Sequence, residues 1–241
     1  MLDSLREEVF AANQELVRCG LVVFTFGNAS GFDRQKGLVV IKPSGVPYHG
    51  MQPRDLVVVD LEGNIVEGNL RPSSDLATHL SLYREFRGVN GVVHTHSRYA
   101  TAWAQAGKEI PCLGTTHADY FRGPIPCTDE MAPCEIESEY ERNTGEIILR
   151  RFREHDLDPL ATPAVLVNGH APFCWGRSAA GAAHTANVVE ELAHLAFLTV
   201  NIRADVNEIS TILRDKHFLR KHGPSAYYGQ TAEEEQAVPN R

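Results

Sequence analysis

Short valine-rich segments constrain this chain most: "GLVVIKPSG", "DLVVVDLEGNIVEG", "GVVHTH" and "PAVLVNGHAPFCWG", each closed by glycine, proline or a polar turn. β-Branched side chains lose rotamer freedom in a helix and pack well on a pleated surface, so these segments predict strands. The second carries its own turn at Glu62-Gly63-Asn64 and reads as a hairpin, and the fourth is broken by Asn-Gly-His into two strands. "FTFGNASGFD" adds a strand turning through glycines. Helical spacing separates the strands: Leu5, Val9, Ala12 and Leu16 share one face, and so do Leu76, Leu80 and Tyr83. "SRYATAWAQAG" predicts a helix ending at Gly107, "EIESEYERNTGEIILRRFREHD" one long amphipathic helix, and residues 178–201 and 206–222 a final pair. The fold expected is α/β, a single domain with a central, mostly antiparallel β-sheet sandwiched between helix layers.

Charge and composition exclude several functions. A net charge of -8 argues against a general nucleic-acid binder, which needs a basic face to neutralise phosphates. No apolar run is long enough to span a bilayer, and "MLDSLREEVF" carries acids where a secretion signal needs a basic start. Five cysteines without a paired framework read as reduced thiols, so a cytoplasmic protein is expected. The tail "TAEEEQAVPNR", residues 231–241, is acidic, contains proline and is expected to be mobile.

The chemistry begins at His94 and His96, which close the strand "GVVHTH". Residues two apart in a strand point to the same side, so both imidazoles can aim at one metal; the alternative is that each meets a neighbouring carbonyl at a strand edge. His170, in the turn of "LVNGHAPFCWG", is by itself more often a turn histidine than a ligand, but beside this pair it can supply the third nitrogen that a catalytic zinc site needs, leaving a position open. Asp75 is either a fourth metal-site group or a helix cap. Ser73 and Ser74 precede it and could cap the helix or hold a phosphate. In "GNASG" and "KPSG", Gly27 and Gly45 allow close backbone approach, Asn28 and Ser44 donate hydrogen bonds, and Lys42 offers a point charge.

"FGNASG", "IKPSG", "RPSSD", "VVHTHS", "TTHADYF", "NGHAPF" and "AYYGQ", in this order, resemble the class II aldolase/epimerase family, and within it the 4-epimerases of L-ribulose 5-phosphate. The resemblance covers residues 1–230, taken as the domain. It implies a zinc ion in each subunit and a homotetramer with active sites at subunit interfaces; charge and hydropathy add the expectation of no nucleic-acid or membrane partner. His94, His96 and His170 match the family's metal ligands, with Asp75 at the metal; the related sugar-phosphate aldolases carry glutamate there. Gly27, Asn28, Ser44, Gly45, Ser73 and Ser74 match phosphate-substrate contacts, with Lys42 beside them. Asp119 and Tyr228 match two acid/base residues, and His217 another active-site position.

The implied reaction inverts C4 of a ketose phosphate. Removing the C4 proton is hard because that carbon is not next to the carbonyl, whereas C3–C4 cleavage lets electrons flow into the ketone, where a Lewis acid stabilises them. Rotation of the aldehyde fragment and re-addition on its other face give the epimer, with D-xylulose 5-phosphate as product. The C4 oxygen then needs a proton acceptor on one side and a donor on the other, the roles the resemblance implies for Asp119 and Tyr228 if the fold brings them to opposite faces; the alternatives are a polar loop at "THADY" and an aromatic anchor at "AYYGQ". The rival expectations are a deoxyhexulose-phosphate aldolase of the same fold and a non-catalytic scaffold such as the family's cytoskeletal relatives.

Overall fold

The computed structural model describes residues 2–224 and 226–227. The valine-rich segments are strands: β1 Asn28–Asp33, β2 Leu38–Ile41, β3 Val57–Asp60, β4 Ile65–Glu67, β5 Gly91–His94, β6 Ala164–Leu166 and β7 Pro172–Gly176. They form one seven-stranded sheet in the order β4-β3-β2-β1-β5-β7-β6, with every ladder pairing antiparallel. The β3–β4 hairpin turns where expected, held by the Asp60 carboxylate, which accepts from the backbone N–H and the side-chain amide of Asn64 at 2.8 Å each.

The helices are α1 Asp3–Arg18, α2 Leu76–Glu85, α3 Arg98–Gln105, α4 Thr115–Ala118, α5 Pro133–Glu137, α6 Tyr140–Glu154, α7 Ala179–Ile202 and α8 Thr211–His222. They cover both faces of the sheet, as the alternation of buried residues requires. Ala29, Val40, Val58 and Val93 point into a core shared with Val9, Leu16 and Ala183 of α1 and α7. Phe32, Val39, Ile41, Val92 and Phe173 point the other way, into a core shared with Leu82, Tyr83 and Ile148 of α2 and α6. Burying one such valine or leucine contributes about 1.5–3 kcal/mol. By the two-residue period, Asn28, Ser30 and His94 share the α2/α6 side.

Two helix expectations need correction. The single helix expected across residues 135–156 is broken at Ser138, whose φ of -101° and ψ of -125° are not helical. Side chains stabilise the break: Ser138 Oγ donates to the Cys134 carbonyl at 2.8 Å, and Asn143 Nδ2 donates to the Glu135 carbonyl at 2.8 Å and to Ser138 Oγ at 2.9 Å. The last helix begins at Thr211 rather than 206, because Ser210 caps it, accepting from the Leu213 N–H at 3.3 Å. Among the described residues no helix is long and apolar enough to cross a membrane.

Candidate functional site

His94 is the last residue of β5, opposite Asn28 of β1 on one side and Phe173 of β7 on the other. Its Nδ1 meets the Pro172 carbonyl at 3.0 Å, which fixes the proton there and leaves Nε2 free. That Nε2 lies 3.2 Å from Nε2 of His96. One nitrogen from each of His94, His96 and His170 lies within 4.8 Å of the others. Two nitrogens about 2.0–2.1 Å from a tetrahedral zinc stand about 3.3 Å apart, so the donor set fits such an ion. Burial, then His94 and His96, pull the His170 imidazole down to about 4, and burial with His94 lowers His96 as well. Both are therefore neutral, the ligating form, at neutral pH.

Asp75 begins α2, but its side chain makes no capping bond there. Instead its Oδ2 accepts from Asn28 Nδ2 at 2.6 Å and lies 3.4 Å from Ser73 Oγ. Burial pushes its pKa up, yet His94, His79 and the Asn28 bond outweigh this and leave it below the ordinary carboxylate value.

Lys42 is 1% exposed. Its ammonium reaches the Pro43 carbonyl at 3.3 Å and lies 4.7 Å from the Tyr48 ring centre, and no carboxylate pairs with it among the described residues. Burial lowers its pKa, the signature of a cation lacking a counter-charge. Ser73 Oγ accepts from Asn28 Nδ2 at 3.0 Å. Gly27 serves packing: at its φ of +75°, a Cβ would sit 2.7 Å from the His94 carbonyl. Gly45, φ +67°, faces open space. Gly27, Asn28, Lys42, Ser44, Gly45, Ser73, Ser74, Asp75, His94, His96 and His170 all line one cavity of about 430 Å³.

Residues 7–197 match the model of the class II aldolase and adducin N-terminal domain family. The chain belongs to this family. An L-fuculose 1-phosphate aldolase superposes with a TM-score of 0.74 at 24% identity, over 88% of this chain and 95% of its own. The L-fuculose-1-phosphate aldolase of Thermus thermophilus superposes at 0.64 with 25% identity, over 85% of this chain and 99% of its own. An aldolase II superfamily protein of Pseudomonas syringae superposes at 0.72 with 15% identity, over 98% of this chain and 90% of its own.

In this class II aldolase-family chain, Asp119 and His217 do not line that cavity. Asp119 ends α4 and meets α8: His217 Nδ1 and Arg220 Nε lie 3.0 Å from its Oδ1, Arg220 Nη2 lies 2.7 Å from Oδ2, and the Lys221 ammonium is at 3.6 Å. Burial raises its pKa, but Arg220, His217 and Lys221 outweigh burial, so it is a carboxylate at neutral pH. Tyr228 lies outside the described residues.

Three cavity-side residues escaped the sequence reading. Tyr140 and Glu141 line the cavity, and the Tyr140 hydroxyl lies 3.4 Å from His170 Nδ1. They follow the break at Ser138, which helix periodicity does not reveal. Tyr48 donates its hydroxyl proton to the Gly27 carbonyl, at 2.8 Å, and lies 3.1 Å from that of Phe26, so it holds the glycine loop in place. Nothing near "VPYHG" marks it as more than an apolar anchor.

Proposed function

We propose that this chain is an L-ribulose-5-phosphate 4-epimerase that interconverts L-ribulose 5-phosphate and D-xylulose 5-phosphate with zinc as cofactor. The observation that carries this reading is one cavity holding three converging imidazoles and the uncompensated ammonium of Lys42. A phosphorylated ketopentose needs both: a metal for its carbonyl end and a cation for its phosphate.

His94, His96 and His170 hold the ion, with Asp75 beside them. A divalent ion there supplies Lewis-acid stabilisation of charge on the substrate oxygens. Lys42, Ser44, Ser73, Ser74 and the loops at Gly27 and Gly45 hold the phosphate. Asn28 orients Asp75 and Ser73, to both of which it donates. Asp119 accepts or returns the C4-hydroxyl proton on one face, and Tyr228 does so on the other. Two features support a homotetramer in which a neighbour supplies Asp119, His217 and Tyr228. Asp119 lies off its own subunit's cavity, and Phe24, Ile202 and Ile212 are 82%, 87% and 83% exposed.

Incubating the metal-loaded protein with L-ribulose 5-phosphate and following D-xylulose 5-phosphate by NMR tests the reading; no conversion sinks it. The structural likeness to L-fuculose 1-phosphate aldolases favours a second reading, aldol cleavage of a deoxyhexulose phosphate. Free fragments accumulating from L-fuculose 1-phosphate, with no glycolaldehyde phosphate retained and re-added from the pentulose, would select that alternative.

A further inference from the structure

Helix α2 carries a polar stripe that the chemistry above leaves largely unused. Asp75, at its first turn, is followed by His79 and Tyr83 at four-residue intervals, so the three share one side. Ser30 of β1 meets the lower two: its Oγ is 2.7 Å from His79 Nδ1 and 2.7 Å from the Tyr83 hydroxyl. Ser30, His79 and Tyr83 are all fully buried. His79 Nε2 has no hydrogen-bond partner among the described residues, and neither has Asn28 Oδ1. Buried polar atoms of this kind call for an explanation. The His79 ring also meets Phe173 edge-on at 6.1 Å, and Phe173 stacks on His94 at 4.2 Å, so packing holds the ring beside the metal end.

The protons of this chain can be placed. Burial keeps the Tyr83 phenol protonated, and Ser30 Oγ is its hydroxyl's hydrogen-bond partner among the described residues, so the phenol proton goes to Ser30 Oγ. Ser30 then gives its proton to His79 Nδ1. Burial drives the His79 imidazole down to about 3, so it is neutral and must carry its one proton on Nε2. The reverse order would leave two buried groups unmatched, the Tyr83 proton and the His79 Nε2 lone pair, whereas this order leaves only the Nε2–H to be matched. The His79 backbone N–H donates to the Asp75 carbonyl at 3.1 Å, so the ring stands one helical turn below the Asp75 side chain on the same side of α2.

We infer that His79 is a positioning residue for the metal end of the cavity: Tyr83 and Ser30 fix it as the Nε2–H tautomer, and that N–H orients the Asp75–Asn28 pair. The inference rests on the metal-dependent function proposed above.

Two measurements on the full chain test it without turnover. In metal-free protein, long-range ¹⁵N–¹H NMR should show the Nε2–H pattern for His79; an Nδ1–H pattern overturns the inference. The second is a mutant cycle read as the zinc dissociation constant by chelator competition. His79→Phe should weaken zinc binding about 10- to 100-fold. His79→Gln, whose amide reaches the Nε2 position, should recover most of that, and His79→Asn, which reaches only the Nδ1 position, should not. On an Asp75→Asn background, His79→Phe should cost little more, because its effect passes through that carboxylate. Additive losses, or no recovery with His79→Gln, would assign His79 a packing role and overturn the inference. Should His79→Phe not fold, the tautomer spectrum and the His79→Gln to His79→Asn comparison still decide. A wild-type protein that binds no zinc sinks the metal reading itself, and the inference falls with it before any variant is compared.

Discussion

Lys42 illustrates the residue scale, because among the described residues its buried ammonium faces only the Pro43 carbonyl and the Tyr48 ring, an arrangement suited to an anion. Lys42→Met keeps most of the volume and removes the charge. Losing one charge-assisted contact costs about 1.5–3 kcal/mol, so KM for the sugar phosphate should rise about 10- to 150-fold with metal content unchanged. Altered metal content with unaltered KM would place Lys42 in the metal centre instead. His96→Ala removes one of three converging nitrogens and should abolish stoichiometric divalent metal in protein purified without chelator, as elemental analysis would show. Away from the site, His117 gives a pH prediction. It is buried, its Nε2 donates to the Gly123 carbonyl at 2.8 Å, and burial lowers its pKa to about 4. The unfolded chain takes up this proton near the ordinary 6.5, before the folded chain does. Stability from His117 is therefore intact above pH 6.5 and falls as pH drops toward 4, by about 1.4 kcal/mol per pH unit. His117→Gln keeps an N–H donor without the titration, so denaturant melts at pH 7 and pH 5 should differ less than in wild type.

At the scale of elements, α3 shows how a site is held by contacts distant in sequence. Ser97 occupies its N-cap position but makes no capping bond. Glu190 of α7 does so instead: its carboxylate accepts from the Tyr99 N–H at 2.9 Å and the Ala100 N–H at 3.0 Å, and Trp103 Nε1 donates to the Ala193 carbonyl at 3.0 Å. This clamps the helix that starts just after His96. Glu190→Ala should cost about 0.5–2 kcal/mol of stability, with metal binding weakened rather than lost. Full stability in urea melts would show that the cap does not matter. The break between α5 and α6 works likewise, bringing Tyr140 and Glu141 to the cavity.

For the whole molecule, the two halves of the proposed machinery lie on different parts of one subunit. The imidazoles and the phosphate loops share a cavity, whereas Asp119 and His217 sit together on α4 and α8. Mixing inactive His96→Ala subunits with inactive Tyr228→Phe subunits should restore part of the epimerase activity, because some sites in hybrid tetramers would combine an intact metal centre with an intact tyrosine. If folded subunits exchange, as mass spectrometry would show, and no activity returns, Tyr228 acts within its own chain.

Valine-rich runs and helical spacing suffice to predict an antiparallel sheet between helix layers, because side-chain alternation is written residue by residue and needs no partner. The spacing of His94 and His96 is local in the same way, so their common direction could be expected before any coordinates, whereas His170 joins them only because β7 pairs with β5. Which reading of Asp75 holds could not be expected either, since cap and site residue look alike until Asn28, forty-seven positions away, donates to it. Likewise, Glu190 rather than Ser97 caps α3, Gly27 makes room for the His94 carbonyl, and Ser138 breaks a periodic helix. Each depends on a backbone or side chain brought near only when the sheet and helices pack. Periodicity encodes which face of an element is buried; only the tertiary structure decides what that face meets.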